Sequence, residues 1–310
     1  MAGSYALQGV LLEDETLRDG LQLENRIFSL EEKLEIYGHL AEAGVKRIQV
    51  GSFVHPKRVP QMADTGELVS EILSRHGSGG PLISTLILND KGLERALDCG
   101  VKHVSMSVSV SNTHSMKNAG KTAEEALSSM KVLIGQATGS GLAVRAGLQC
   151  SFGCVYESAI SEKTVIHAAE KLAGAGAREI NLADTTGMAN PLDVTRLVAH
   201  VGRELPEINI SLHLHDTRGL GLANMYAGHQ AGVRTFDTCS GGLGGCPFVT
   251  GAAGNVPTED AVNMFSSIGV ATGVDLIRVC DTVEILERLL DRKLPGRMKT
   301  VLDAKIRDDV

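Results

Sequence analysis

Two histidines alternate along one strand-like segment late in the sequence, and together they could bind a metal ion. Residues 208–216 read INISLHLHD, and strand alternation sends His213 and His215 to one face and the leucines between them to the other. Two inward-facing imidazoles at this spacing are difficult to satisfy in a core. The pattern therefore favours metal ligation, with a hydrogen-bonded core pair as the alternative, and Asp216 then faces away as a capping or supporting residue.

A second group of ionisable residues follows the first predicted strand. Residues 14–20 read DETLRDG, so several charged side chains lie where the chain leaves that strand. Asp19 offers a carboxylate, and Arg18 offers a fixed cation for an oxyanion or a substrate carboxylate. A solvated loop with a salt bridge is the alternative.

A glycine-rich segment follows the last predicted strand. Residues 241–255 read GGLGGCPFVTGAAGN, a composition typical of a loop that closes over a substrate and excludes water. Cys246 lies within it as a candidate reactive thiol, with a buried structural thiol as the alternative, and Asn255 can direct an amide oxygen towards the centre. Two imidazoles, a carboxylate and an amide oxygen suit Mg²⁺ or Mn²⁺ better than structural zinc. Such an ion can polarise a carbonyl or hydroxyl oxygen beside a carbon–carbon bond.

The elements that must position these residues alternate between strands and helices along the whole chain. Strands are predicted at 9–14, 46–51, 81–88, 102–108, 143–150, 178–183, 208–215 and 234–240. Eight βα units are the number that closes a TIM barrel, a (β/α)8 fold whose active site lies at the carboxyl ends of the strands. A doubly wound open sheet is the alternative, but the glycine-rich phosphate-binding turn expected after its first strand is not seen.

Amphipathic helices are predicted between the strands and after the last one, at 30–43, 63–74, 92–99, 123–137, 162–173, 191–203, 222–231, 259–267 and 274–290. Gly44, Gly100, Gly176 and Gly232 are each expected to end a helix in the left-handed conformation. Residues 1–270 are predicted to form the barrel domain. Residues 271–310 are predicted to be a short extension, a helix and a polar tail packed on the barrel or on a partner subunit.

Composition excludes several classes of function. The chain of 310 residues carries 30 Lys and Arg against 37 Asp and Glu, and it has six Phe, four Tyr and no Trp. An acidic chain with few aromatic residues is a poor candidate for binding nucleic acid or an anionic membrane. Because no apolar run reaches the length of a membrane span and the first residues lack a leader pattern, we expect a cytoplasmic protein. The six cysteines are expected to be free thiols.

The motifs described so far, taken together, resemble those of the 3-hydroxy-3-methylglutaryl-CoA lyase family, within the metal-dependent TIM-barrel lyases and Claisen-type synthases. The resemblance runs from about Glu13 to about Leu290. The pair GLGGCP and GAxGN is specific to the lyase branch, whereas RDGxQ and HxHD mark the whole group. The matching segments are RDGLQ at 18–22, SFVHPKRVPQMAD at 52–64, HLHDTRGLGLAN at 213–224 and GGLGGCPFVTGAAGN at 241–255.

The resemblance implies a retro-Claisen cleavage of a 3-hydroxyacyl-CoA to acetyl-CoA and a keto acid, in a homodimer or homotetramer. It implies that Mg²⁺ or Mn²⁺ is bound by Asp19, His213, His215 and Asn255. Arg18 would stabilise the enolate of the departing acetyl-CoA, and Cys246 or His213 would protonate it. The residues expected to contact substrate are Arg18, Gln22, Gln49, Ser52, Asn181 and Asp184.

The resemblance implies that several departures from the lyase pattern line the acyl pocket, so several substrates stay open. Gln49 stands where the lyases have glutamate, Asn181 where they have serine, and Leu23 where they have asparagine. 3-Hydroxy-3-methylglutaryl-CoA is the default substrate, with citramalyl-CoA or a 3-alkyl-3-hydroxyglutaryl-CoA as alternatives. A condensing synthase of the isopropylmalate or citramalate type is a further alternative, although such chains carry additional C-terminal domains. Because glutamine cannot take or give a proton, a barrel that binds acyl-CoA or metal without turnover is also an alternative.

Overall fold

Eight parallel strands close into a barrel in the computed structural model, which describes residues 9–77, 79–245 and 254–308. Each strand pairs with the next in the chain, and β8 returns to pair with β1, with Leu11 opposite Thr235 and Asp14 opposite Thr238. The predicted TIM barrel is therefore confirmed. The strands are β1 Leu11–Asp14, β2 Arg47–Ser52, β3 Leu82–Leu86, β4 His103–Ser109, β5 Ala143–Gln149, β6 Glu179–Asp184, β7 Asn209–Leu214 and β8 Thr235–Thr238.

Helices surround the barrel and continue beyond it. They are α1 Leu30–Glu42, α2 Thr65–His76, α3 Asp90–Asp98, α4 Asn112–Ala119, α5 Ala123–Gly139, α6 Glu162–Gly174, α7 Pro191–Glu204, α8 Gly221–Gln230, α9 Thr258–Ser267, α10 Leu276–Leu290 and α11 Arg297–Asp308. Short turns of other helix types lie at Thr16–Gly20 (π), Pro60–Met62 (3-10) and Ser240–Gly242 (3-10). No helix in these described ranges is long and apolar enough to cross a membrane.

Local sequence signals explain where many of these helices begin and end. Ser29 and Glu32 form a capping box at the start of α1, because each side chain accepts a hydrogen bond from the other's backbone N–H. The four glycines predicted to end helices all have positive φ angles, between 78° and 114°. At Gly44 a side chain is also excluded, since a Cβ atom would lie 2.5 Å from the carbonyl oxygen of Gly273.

Two helices were not predicted. Helix α4 was not predicted because its segment, NTHSMKNA, lacks an amphipathic repeat. Its ends do carry local signals, since Ser111 caps its first turn and Gly120 ends it with φ +67°. α11 replaces most of the predicted polar tail. Its first turn is stabilised by a distant residue, because Asp260 accepts hydrogen bonds from the backbone N–H groups of Arg297 and Met298 at 2.9–3.1 Å.

The C-terminal extension lies against the first helix of the barrel. The backbone N–H of Asp275, at the start of α10, donates to the carbonyl of Ala43 at 2.8 Å. Further along, Arg278 and Arg288 of α10 pair with glutamates of α1. These contacts agree with packing on the barrel, while the division of the chain at residue 270 stays a prediction.

Charged side chains fill the lower part of the barrel interior, where TIM barrels usually carry branched apolar residues. The Arg145 guanidinium donates to Glu13 at 2.7 Å, to Glu15 at 2.7 Å and to Asp237 at 2.6 and 3.0 Å. Arg47 forms two hydrogen bonds of 2.9 Å with Glu179. All of these side chains are buried. We call Glu13, Arg47, Arg145, Glu179 and Asp237 the interior ion network.

Removing the central cation of this network should destabilise the fold. We expect Arg145→Met to lower the free energy of unfolding by about 3–5 kcal/mol, because it leaves buried carboxylates without their partner. Urea unfolding followed by circular dichroism measures the change. The control is Arg196→Met, since Arg196 pairs with Glu162 and Asp193 on the surface, where such pairs contribute about 1 kcal/mol or less. Equal effects of the two substitutions would contradict a structural role for the network.

Candidate metal centre

Strand β7 directs two imidazoles into the upper barrel. Leu212 and Leu214 are fully buried on the helix-facing side, so the alternation of the strand turns His213 and His215 inward. Their Nε2 atoms lie 3.0 Å apart, and both side chains are buried. The predicted orientation of the pair is therefore what the structure shows.

The π-helical turn after β1 brings Asp19 to these histidines. One ligand atom from each of Asp19, His213 and His215 lies within 4.8 Å of the others. The carboxylate is also held from its own segment, because Gln22 Nε2 donates to Asp19 Oδ1 at 2.9 Å. Gln22, predicted as a substrate contact, thus supports Asp19 in the structure.

Asn255 joins this group from the far end of the glycine-rich segment. An isolated antiparallel bridge pairs Asn255 with His215, and Asn255 Nδ2 donates to Asp19 Oδ2 at 2.8 Å and to the Leu243 carbonyl at 3.0 Å. Gly244 makes this approach possible, because it has φ +92° and a Cβ atom there would lie 2.6 Å from Asn255 Nδ2. We call Asp19, His213, His215 and Asn255 the ligand cluster.

The ligand cluster fits a divalent cation that prefers nitrogen and oxygen donors. Asn255 Oδ1 is buried and has no hydrogen-bond partner among the described residues, and a cation would satisfy it. Burial, with the neighbouring His213 next in importance, lowers the pKa of His215 to about 3, so this imidazole is neutral and able to ligate. Burial alone would raise the pKa of Asp19, but Arg18 and the two histidines outweigh it and hold that pKa below its ordinary value.

Two carboxylates support His213 from the barrel interior. Its Nδ1 lies 3.2 Å from Asp237 Oδ2 and 3.5 Å from Glu15 Oε2. Burial opposes a charge on His213, but Asp237, Glu15 and Asp19 outweigh burial and raise its pKa. A carboxylate on the nitrogen that does not face the metal site sets the orientation of a ligating imidazole and raises its basicity.

Arg18 lies beside the ligand cluster with its guanidinium held on three sides. Nε donates to Gln49 Oε1, Nη1 donates to Asp19 Oδ1, and Nη2 donates to Glu15 Oε2. A guanidinium has more N–H groups than these contacts use, so both Nη atoms retain a donor for a ligand. Burial alone would lower the pKa of Arg18, but the carboxylates of Asp19 and Glu15 raise it, so the cation is permanent.

Three further predicted substrate contacts lie on two strands, Asn181 and Asp184 on β6 and Ser52 on β2. Asn181 donates to Ser211 at 3.0 Å and to Asp237 at 3.2 Å. Asp184 accepts from the backbone of Met188 and Ala189, and burial raises its pKa to about 6. The buried hydroxyl of Ser52, at the end of β2, has no partner in the described part of the chain. Their roles as substrate contacts stay predictions, and Cys246 lies outside the described residues.

Glu15 and Asp237 are site residues for which the sequence reasoning predicted no role. A signal was available for each. Glu13 lies in β1 and Glu15 directly after it, two residues apart like His213 in β7 and His215 directly after it. Asp237 alternates with apolar Phe236 in β8. In contrast, Asp216 was predicted as a capping residue, and its Oδ1 does accept the backbone N–H of Gly221 at 2.8 Å, in the first turn of α8.

Comparisons with known proteins agree on one family. The family model described as HMGL-like matches residues 10–286. A relative named (R)-citramalyl-CoA lyase, from Chloroflexus aurantiacus, is 36% identical over 297 residues, 94% of this chain and 94% of the relative. The crystal structure of Bacillus subtilis HMG-CoA lyase has a TM-score of 0.91 at 35% identity, covering 96% of this chain and 98% of that one. An Acinetobacter baumannii HMG-CoA lyase in complex with coenzyme A and 3-methylmalate has a TM-score of 0.87 at 37% identity, covering 94% of each chain.

Loss of one imidazole should weaken the metal site without loss of the fold. We expect His213→Ala to reduce Mn²⁺ affinity by more than about 10-fold, since even the loss of an outer partner of a ligand has an effect of that size. Titration of the apoprotein with Mn²⁺ by calorimetry measures it. His200→Ala, on the outer helix α7, is the control and should bind as the unaltered protein does. Unchanged affinity in His213→Ala would remove this residue from the site.

Proposed function

The chain belongs to the HMGL-like family of carbon–carbon lyases, and from this premise we propose that it cleaves a 3-hydroxyacyl-CoA, with a divalent cation, to acetyl-CoA and a keto acid. The observation that carries the proposal is the ligand cluster at the carboxyl ends of the barrel strands, with the Arg18 cation beside it. In this fold the reacting groups lie at that end of the barrel. 3-Hydroxy-3-methylglutaryl-CoA is the default substrate.

Four side chains would hold the cation: Asp19, His213, His215 and Asn255. The set contains no thiolate, which suits Mg²⁺ or Mn²⁺. When bound, such an ion polarises a hydroxyl or carbonyl oxygen and lowers the cost of charge that develops there. The protein contributes the fixed positions of the four ligands, because each of them is buried and held by the contacts described above.

Arg18 would stabilise the charge that the reaction creates. In a retro-Claisen cleavage a base takes the proton of the C3 hydroxyl, the C2–C3 bond breaks, and its electron pair passes to C2 as the enolate of acetyl-CoA, while C3 becomes a carbonyl carbon. The Arg18 N–H groups that the protein does not use can donate to the enolate oxygen. Because three contacts already fix the guanidinium, little reorganisation is needed as the charge appears.

The enolate must then receive a proton at C2. His213 is one candidate donor, because it lies within the ligand cluster. Cys246 is the other candidate, on the sequence argument that it lies in a glycine-rich loop able to close over the site. The two are distinguished by substitution of Cys246, which is not a ligand.

The acyl group is the open part of the proposal. The relative from Chloroflexus aurantiacus is named for citramalyl-CoA, and the Acinetobacter baumannii enzyme was crystallised with 3-methylmalate. Gln49 and Asn181, which depart from the lyase pattern, both lie among the buried polar residues below Arg18. We therefore retain citramalyl-CoA and 3-alkyl-3-hydroxyglutaryl-CoA as alternative substrates, and condensation in the synthase direction as a less favoured activity.

We further propose a cytoplasmic homodimer or homotetramer. The argument for assembly is the family resemblance described above. Helix α10, which packs on α1 and carries the exposed Ile277, is the surface where we propose that a second copy binds.

A panel of acyl-CoA thioesters should identify the substrate and the need for metal. With Mg²⁺ or Mn²⁺, we expect acetyl-CoA release from one member of a panel containing 3-hydroxy-3-methylglutaryl-CoA, citramalyl-CoA and longer 3-alkyl analogues. Chelation with EDTA should abolish release and added Mn²⁺ should restore it. Asp19→Asn is the inactive control. No metal-stimulated release from any thioester would favour a protein that binds without turnover.

Substitution of the loop cysteine tests its role in proton transfer. We expect Cys246→Ser to lower kcat by about 100-fold or more, a typical contribution of a positioned acid, while Mn²⁺ affinity and the unfolding temperature stay unchanged. Cys99→Ser, at the end of α3 on the outside of the barrel, is the matched control. A rate near that of the unaltered enzyme would exclude Cys246 and leave His213 as the donor.

A further inference from the structure

Glu15 directs its side chain into the barrel from a backbone that hydrogen bonds hold in place. It follows β1 directly, its N–H donates to the Thr238 carbonyl at 2.8 Å, and its carbonyl accepts from Arg18 and Gly20 at 3.0 and 3.1 Å. Although Glu15 precedes the first residue of the π-helical turn, its side chain makes no capping hydrogen bond there. The carboxylate turns inward and is completely buried.

The two oxygens of Glu15 connect groups with different tasks. Oε1 accepts from Gln49 at 3.0 Å and from Arg145 of the interior ion network at 2.7 Å. Oε2 accepts from Arg18 Nη2 and lies 3.5 Å from His213 Nδ1. Glu15 therefore contacts Arg18 and His213 from the barrel interior. On Arg18 it contacts Nη2, whereas Nη1 contacts Asp19. On His213 it lies near Nδ1, whereas Nε2 faces His215.

Gln49 completes this support and must be an amide for it to form. Its Oε1 accepts from Arg18 Nε, while its Nε2 faces two carboxylates, Glu15 at 3.0 Å and Glu13 at 3.4 Å. A glutamate at position 49 would place a third buried carboxylate against those two, which is costly without a further cation. The residue types at positions 15 and 49 are therefore coupled. Glu15 supplies the negative charge, and Gln49 supplies the N–H donor that the charge accepts from.

We propose that Glu15 is a positioning residue whose carboxylate, with the Gln49 amide, fixes the Arg18 guanidinium and the His213 ring for the lyase reaction. The inference rests on the proposed function, because its kinetic test needs a substrate. It assigns to position 15 the negative charge that Gln49 does not carry. The negative charge beside Arg18 then comes from Glu15, which accepts a hydrogen bond from the amide of Gln49.

An exchange of the two side chains tests this coupling. The set is the unaltered enzyme, Glu15→Gln, Gln49→Glu and the double exchange Glu15→Gln/Gln49→Glu. We expect Glu15→Gln to lower kcat by at least about 10-fold with KM changed less than about 3-fold, since support of Arg18 matters most when charge develops. The double exchange should recover at least about 10-fold of the kcat lost in Glu15→Gln, and not all of it, because Glu13 stays near position 49.

A second measurement needs neither substrate nor metal. In the apoprotein, the unfolding temperature of the double exchange should lie above that of Glu15→Gln, because the buried charge has returned beside Arg18. If the unaltered protein releases no acetyl-CoA from any thioester, the proposed function fails, and this unfolding comparison still decides whether positions 15 and 49 are coupled.

The control is Glu179→Gln, the same chemical change at the start of β6, where Glu179 pairs with Arg47 and does not contact Arg18 or His213. It should lower the unfolding temperature and leave kcat within about 2-fold, so a general loss of packing is separated from a loss of positioning. An undiminished kcat in Glu15→Gln overturns the proposal. So does a double exchange that neither recovers kcat nor exceeds Glu15→Gln in unfolding temperature, or one that does not fold.

Discussion

Charge buried inside the barrel must be paired, and this constraint shapes both the core and the site. Removing an ion from water costs several kcal/mol, which is offset only when its hydrogen bonds are well formed. Arg145 donates hydrogen bonds to three acidic residues, and Arg47 donates two parallel hydrogen bonds to Glu179. Such pairs have few alternative arrangements, so the strands that carry them are held in one register.

The same constraint extends upward into the reacting groups. Asp237 contacts both Arg145 and His213, and Glu15 contacts both Arg145 and Arg18. A candidate ligand and the candidate enolate-binding cation are thus supported by side chains that are themselves immobilised. Preorganised charge of this kind does not have to rearrange as the transition state forms.

The chain around the site is anchored by polar contacts rather than by apolar packing alone. Asp14 faces away from the ligand cluster. It accepts hydrogen bonds from Ser240 and Thr258, which lie on either side of the glycine-rich segment. Asn255 is held at the far end of that segment by its bridge to His215. Both ends of the segment that carries Cys246 are therefore tied to β1 and β7, the strands nearest to the ligand cluster.

Periodicity in the sequence was sufficient to predict the eight strands, the inward pair His213 and His215, and the helix-ending glycines, because these depend on local alternation and on backbone φ. Alternation along β8 could place Asp237 inside the barrel, but the interior ion network, the contact of Asp237 with His213 and the first turn of α11 could not be predicted. Their partners are far apart in the chain, Arg145 from Glu13 and Asp260 from Arg297. Only closure of the barrel brings such residues within hydrogen-bond distance, and a buried charge becomes stable only once its partner is there.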